Sequence, residues 1–398
     1  MKPQLILSVL FSLLVYQVPA RAVELTLGGY GLALGNEPKA RGLRLNLRDH
    51  QVQWVEGLNL TLWKAKKNPE AVFTGAAVGL IGPEARDIRG IAVGGLGVKA
   101  EQSLSGIALG GASVIVDGPL KSGETLRGVA LGGVGVIVDG PLTGIAAGLG
   151  GVGAENAQGV LVGGLGVGSG GNLTGIALGG LGAGAGGNLQ GVAAGLAGVG
   201  VGKNLKGLAL GGVGAGVGEH LRGIALGGVG VGVGEDAVGL VLGGLGAGIG
   251  ENLKGVGAGL VGLGVGEDLV GLGFGGVGIG AGGNIRGIAL GGVVVAGKNI
   301  TGLTLGVVGV RAKKRVSGVT ASLVSIGAPA MRGVMVSSLN GVVFEDFWFR
   351  KVNQRMSGIS VGLLNTTSQL RGVQLGLLNY AGNNPRWLRL LPLVNLHL

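Results

Sequence analysis

Four glutamates, Glu219, Glu235, Glu251 and Glu267, recur at intervals of 16 residues, and Asp236 and Asp268 stand beside two of them. Acidic groups at one repeat phase could hold a divalent cation between neighbouring units, as acidic turns do in some repeat proteins. The calcium-loop spacing of such repeats is missing, however, and Gly187, Lys203 and Gly283 interrupt the series. A solvated column screened by Lys206, Arg222, Lys254 and Arg286 is the competing reading. The three histidines, His50, His220 and His397, lie far apart and at different repeat phases, so no triad or metal cluster can assemble from them. His220 reads as a corner residue in place of Asn or Asp. Gly-x-Gly strings such as residues 195–202 lack the strand–loop–helix context and acidic partner of a nucleotide site. No residue is therefore assigned to catalysis, to a cofactor or to a metal, and the chain reads as a non-enzyme.

Composition agrees. The chain has 398 residues, of which 95 are Gly, none is Cys, and 13 are aromatic (6 Phe, 4 Trp, 3 Tyr). Only 13 % are charged while 46 % are hydrophobic, which is the opposite of a disordered chain. Gly does not fall every third residue and there are only 10 Pro, so collagen is excluded. Without Cys there is neither a disulfide scaffold nor a thiolate metal site. The formal net charge is +11, which favours anionic neighbours such as lipopolysaccharide, phospholipid or polyanionic glycans. Nucleic acid is not indicated, since basic patches interleaved with aromatics are missing.

The elements that would position these residues come from a repeat. Gly159 marks a phase that recurs at Gly175, Gly191, Gly207, Gly223, Gly239, Gly255, Gly271 and Gly287, eight steps of 16. Gly42, Gly57, Gly75, Gly90, Gly106, Gly128 and Gly144 precede it, and Gly302, Gly318, Gly333, Gly358 and Gly372 follow. Large and small residues alternate with period two inside each unit, which is the strand period. About 20 such units predict an all-β repeat β-solenoid with roughly 16-residue rungs. Each rung is expected to hold two short strands, with corners at Gly-Gly and at Gly-x-Asn/Asp. Ile224, Leu226, Val229, Val231 and Val233 are all expected inside, which requires parity to flip near Gly227-Gly228. Gly223, Ala225 and Gly227 are then outward, and so are the polar Arg44, Asn46, Asn59, Thr61, Ser360 and Gln374 of the end rungs. Residues 156–202 carry no charge and could suggest a membrane glycine zipper, but about 1 kcal/mol per Gly opposes helix.

Residues 1–22 have the form of a signal peptide: Lys2, an apolar stretch from Leu5 to Val18, and Ala20-Arg21-Ala22 as the cleavage site. The expected organisation is residues 1–22 signal peptide, 23–74 N-terminal cap and first polar repeats, 75–317 glycine-rich array, and 318–398 C-terminal polar repeats and cap. Residues 344–349 (FEDFWF) form the densest aromatic cluster and fall in the 25-residue gap between Gly333 and Gly358. They read as an inserted flap over the last rungs or as a binding loop.

The units Gly57-Leu-Asn-Leu-Thr-Leu-Trp63, Gly358-Ile-Ser-Val-Gly-Leu-Leu-Asn365 and Gly372-Val-Gln-Leu-Gly-Leu-Leu-Asn379 resemble the G-L-x-L-G-L-x-N repeats of the leptospiral-type surface-repeat proteins. The closing stretch, residues 383–395, resembles the tail that follows those repeats. In the middle of the chain Gly and Ala replace the family's polar residues, as in Gly223 to Gly230. The resemblance implies an exported bacterial envelope or surface protein and assigns no functional residues. The expected function is a non-enzymatic structural, surface or adhesive element, located at the cell surface or outer membrane. Expected partners are anionic envelope components, a membrane, or a second copy packed through Gly/Ala faces such as that of Ala225. An outer-membrane β-barrel, serving as pore or anchor, is the alternative.

Overall fold

The computed structural model describes residues 23–27, 30–66, 68–118, 125–341 and 354–398. The expected signal peptide and the aromatic cluster at 344–349 lie outside them. All regular elements among the described residues are strands. The chain divides into two units, Met1–Gly179 and Gly180–Leu398, and each is a parallel β-solenoid of coils of about 16 residues. Nine coils of the first unit and twelve of the second carry the phase-marking glycine among the described residues.

The coil around Gly223 shows the plan. A seven-residue strand, Leu221–Gly227, bends at Gly228-Val229 into a four-residue strand, Gly230–Val233. A second bend over Gly234, Glu235 and Asp236 leads to the next long strand, Ala237–Gly243. Long strands pair in register with long strands and short with short: Gly223 lies between Gly207 and Gly239, and Val231 between Ala215 and Ala247. The corners at Gly-Gly and at Gly-x-Asn/Asp are where the repeat places them. These parallel coils replace the antiparallel staves that a barrel requires.

Side-chain direction corrects the sequence expectation. Parity does not flip. From Ala183 to Gly297 the buried residues of the second unit are the odd-numbered ones, because a 16-residue coil returns each position to the same face. Leu221, Ala225, Gly227, Val231 and Val233 therefore point inward, with Ala225 fully buried. Ile224 is 38 % exposed and Leu226 is half-buried. The premise that large aliphatics must lie inside forced the wrong face onto the long strand. Ala225 and Gly227 consequently offer no smooth outer face for a second copy.

One position in every coil demands glycine. The phase-marking residue has φ between +107° and +138°, a region that L side chains rarely adopt. A Cβ on Gly223 would also press into the carbonyl oxygen of Gly207 in the coil before it. Both reasons apply to all the coils, which is why this glycine survives where the rest of the unit varies.

The interior is thin and adjusts its volume coil by coil. Leu189, Leu205, Leu221, Leu253 and Leu269 form one fully buried column, and Ala183, Val199, Ala215 and Val231 are buried on the short strands. Where the long strand supplies Gly257 or Gly273, the short strand supplies Leu263 or Ile279, whose methyl groups fill the space a Cβ would need. Where it supplies Val241, the short strand has Ala247. Differences in coil length are absorbed at the polar corner. Register shifts fall there, between Gly297 and Asn299 and between Ala85 and Asp87. The buried parity switches from odd to even at the first of these.

The end coils enclose polar groups instead, which is the second correction. Arg44, Asn59, Thr61, Ser360 and Gln374 are buried, and Asn46 nearly so. Arg44 forms an enclosed ion pair with Asp49 and donates to Asn59 Oδ1 at 2.8 Å, while Thr61 and Asn59 donate to Asp49 Oδ2 at 3.0 and 3.2 Å. In the second unit Asn340 donates to Asn365 Oδ1 at 2.8 Å and Asn365 to Asn379 Oδ1 at 2.7 Å. Antiparallel strands close the outermost coils: Val23–Leu27 pairs with Tyr30–Leu34, and Leu390–His397 pairs with Gln369–Ala381. This pairing shields edges that would otherwise recruit other strands.

Five substitutions test this anatomy by denaturant unfolding. Gly223→Ala is expected to destabilise by about 1–3 kcal/mol from its dihedral alone, while Gly232→Ala, whose Cβ would meet nothing within 4 Å, leaves the midpoint unchanged. Gly257→Val overpacks the interior at a cost of about 1–3 kcal/mol, and Leu263→Ala in the same chain recovers part of it. Asp49→Ala strands the buried Arg44 charge and costs about 3–5 kcal/mol.

Candidate functional site: the outward aliphatic face

The residues after each phase-marking glycine build a surface no soluble exterior needs. In the second unit the first residue after it is aliphatic in all twelve coils, from Val192 through Ile224 and Ile288 to Val373. The third is Leu, Val, Ala or Phe throughout, as in Leu210, Leu226, Phe274 and Leu375. Both positions point out of the coil. A third column comes from the bend, where Val213, Val229, Leu245, Val261 and Val277 are about half exposed. The first unit carries the same columns, for example Ile145, Ile176, Leu131, Leu178, Val134 and Leu165. Isolated exposed aliphatics are ordinary, but columns that recur coil after coil form a contiguous apolar patch, which monomers keep small.

The columns are also matched to one another. In the second unit Leu210, Leu226, Leu242, Phe274 and Leu290 are each followed two residues later by Gly. The two coils of that stretch with Ala in this place, Ala194 and Ala258, are followed by Leu196 and Leu260, which are 75 % and 67 % exposed. Ala147 with Leu149 in the first unit, and Ala321 with Leu323 in the second, repeat the exchange. Compensation of this kind belongs to packed interiors; here it evens the apolar load of the outer face from Ala194 to Leu290, and later coils such as Leu305 with Val307 and Leu375 with Leu377 add to it.

Charge is ordered beside this face. Lys206, Arg222, Lys254 and Arg286 are exposed and stand on the long strands, two residues before the first aliphatic column. The acidic column stands at the polar corner, three residues earlier still, as Glu219 precedes Arg222. Successive glutamates stack through backbone bonds: the N–H of Glu235 donates to the Glu219 carbonyl at 3.0 Å, and that of Glu267 to Glu251 at 2.8 Å. The Asn or Asp at the next corner position forms a ladder. Its side-chain oxygen accepts the backbone N–H of the same position one coil on, as Asn204 does from His220 at 3.3 Å and Asp268 from Asn284 at 2.6 Å. The corner thus favours Asn and Asp for bonds between coils rather than for left-handed dihedrals; only Gln51 and Leu393 among described non-glycines have positive φ. His220 occupies this ladder as expected, and its Nε2 lies 3.2 Å from Glu235.

The ladder tunes two carboxylates. The Asn252 amide donating to Asp236 holds that carboxyl below the usual range, and the Asn284 backbone N–H followed by its side-chain amide does the same for Asp268. Among the described residues no group of three or more His, Asp or Glu side chains is placed to hold a metal ion. The histidines have partners of their own: His50 donates its backbone N–H to Asn36 Oδ1, and His397 Nδ1 meets Asn384 Oδ1 at 2.6 Å. No helix among the described residues is long and apolar enough to cross a membrane. Compared with protein-family models, curated proteins and solved structures, the chain matches none.

Depressed folded values mean that Asp236 and Asp268 stabilise the fold above the unfolded carboxylate pKa of about 3.9, and that this contribution disappears as pH falls through their lower folded values. Melting temperature is therefore expected to fall on acidification from about pH 4 to pH 2. Asp236→Asn with Asp268→Asn keeps the ladder acceptor and should make that fall shallower. An equal fall in both proteins would show that the ladder carries no titratable stability.

Proposed function

We propose that this chain is an exported, non-enzymatic structural protein of a bacterial cell envelope, held at the outer membrane or cell surface through its outward aliphatic face. That face is the observation that carries the reading. A solenoid free in water on all sides has no use for a surface filled coil by coil with Ile, Leu and Val, since each exposed side chain there forfeits burial and invites aggregation. The signal-like pattern of residues 1–22, the basic net charge of the sequence and the likeness of its terminal units to leptospiral-type surface repeats support the same location.

A structural role suits the fold in another way. Stability in a coil stack is distributed over neighbour contacts, so a long apolar surface can be held flat without a globular core beneath it. The polar corner, with its Asn and Asp ladder, supplies the side that stays in water.

Expression of the full chain in a Gram-negative host, followed by fractionation and N-terminal sequencing, tests this. The expected product begins at Val23 and is recovered in the envelope fraction. Recovery from the cytosol with Met1 or Lys2 still present would refute it.

A further inference from the structure

We propose that the aliphatic face of the second unit, Gly180–Leu398, lies flat on an anionic lipid surface, with its basic column at the level of the headgroups. This deepens the envelope reading by naming what the face touches, and its test does not depend on where the chain resides.

Three observations choose lipid over another protein. First, the two outward positions that follow each phase-marking glycine carry aliphatic groups alone, Phe274 being the aromatic exception between Val192 and Val373. Protein partners are typically anchored by Tyr, Trp and Arg and bonded about once per 100–200 Å². Hydrocarbon requires neither. Second, the backbone behind the face is bonded coil to coil in register, so contact with acyl chains leaves no strand amide or carbonyl unpaired there. Third, the charges are graded. Moving back along a coil from Ile224, the next outward residue is Arg222, about 7 Å away along the strand. Glu219, at the polar corner, is farther still. At this position in the second unit Lys206, Arg222, Lys254, Arg286, Arg332 and Arg371 occupy six of twelve coils and no acid occurs. Lipid with anionic headgroups meets the sequence of apolar, basic and acidic in that order, as interfacial segments do. Face-to-face docking of antiparallel copies would instead set one basic column against another.

The mature chain, residues 23–398, is purified in mild detergent, mixed with vesicles, and floated on a density gradient. Vesicles of phosphatidylcholine alone are compared with vesicles holding about one-third phosphatidylglycerol. The chain is expected to float with the anionic vesicles, with retention falling about tenfold or more when Ile224→Glu and Ile288→Glu are combined. Arg222→Gln with Lys254→Gln and Arg286→Gln should remove the preference for anionic over neutral vesicles, about tenfold. Gly216→Glu with Gly232→Glu adds the same charge on the glycine side of the coil, where a Cβ meets nothing within 4 Å, and should leave flotation unchanged. Circular dichroism confirms that each variant is folded. Failure of the parent chain to float overturns the proposal, and so does equal loss from the glycine-side pair. A stable oligomer that ignores vesicles and dissociates on Ile224→Glu with Ile288→Glu overturns it in favour of a second copy.

Discussion

In-register parallel hydrogen bonding between successive coils is the constraint on which the rest of the structure depends. Long strand stacks on long strand and short on short, so every repeat position becomes a line of identical surroundings about 4.8 Å apart. Whatever stands at one phase is multiplied. A left-handed glycine becomes a bare channel through which backbones approach, as at Gly207 and Gly223. An Asn or Asp becomes a ladder whose rungs bond the next coil. An outward isoleucine becomes an apolar surface. Isolated, none of these features would carry much; stacked, each defines a side of the molecule.

Much of this was legible in the sequence. The 16-residue interval of glycine, the period-two alternation and the Asn/Asp corners sufficed for the all-β solenoid, and they located both bends and the ladder place of His220. What they did not reveal was which parity faces in. Alternation is symmetric: Ile224 and Leu226 on one parity and Leu221, Ala225 and Val231 on the other both read as half a strand. The rule that large aliphatics lie inside broke the tie wrongly, and it then required a parity flip that an even-numbered coil does not make. A signal was present. On the strands Leu221, Ala225, Val231 and Val233 share one parity, and the long-strand bases Lys206 and Arg222 share the other with Ile224. A charged residue fixes the outer face more firmly than an aliphatic one fixes the inner, because burial of an unpaired charge costs far more than exposure of a methyl group.

The same reversal explains the ends. Arg44, Asn59, Ser360 and Gln374 looked like solvent-facing residues because soluble sheets keep polar groups outside. They occupy the inward position that Ala225 holds in the middle coils, while Leu43, Leu45, Ile359 and Leu375 occupy the outward one. The interior therefore changes from bonded polar ladders to apolar packing along each unit, and the exterior face does not change with it. Buried polar groups that bond across coils fix register, since a one-coil slip would separate Arg44 from Asn59 or Asn365 from Asn379. Interiors of Ala and Val, by contrast, accept any coil in place of any other. Placing the register-setting groups at the ends, beside the antiparallel closing strands, lets a uniform middle stack without ambiguity.

Constancy outside and variability inside is the inverse of what a water-soluble fold requires, and it bears on what evolution of such a coil could conserve physically. In a protein bathed in water the core limits substitution, and the surface tolerates change within about 0.5 kcal/mol. Here the interior tolerates exchange of Gly257 with Leu263 for Ala225 with Val231, provided the summed volume holds. The exterior shows a parallel exchange in its middle coils, where Leu226 with Gly228 gives way to Ala258 with Leu260. Volume rules on both faces of one sheet are those of a layer packed on both sides. The coil supplies one of those packings itself; in the proposal made above, the second comes from the lipid surface on which the aliphatic face rests.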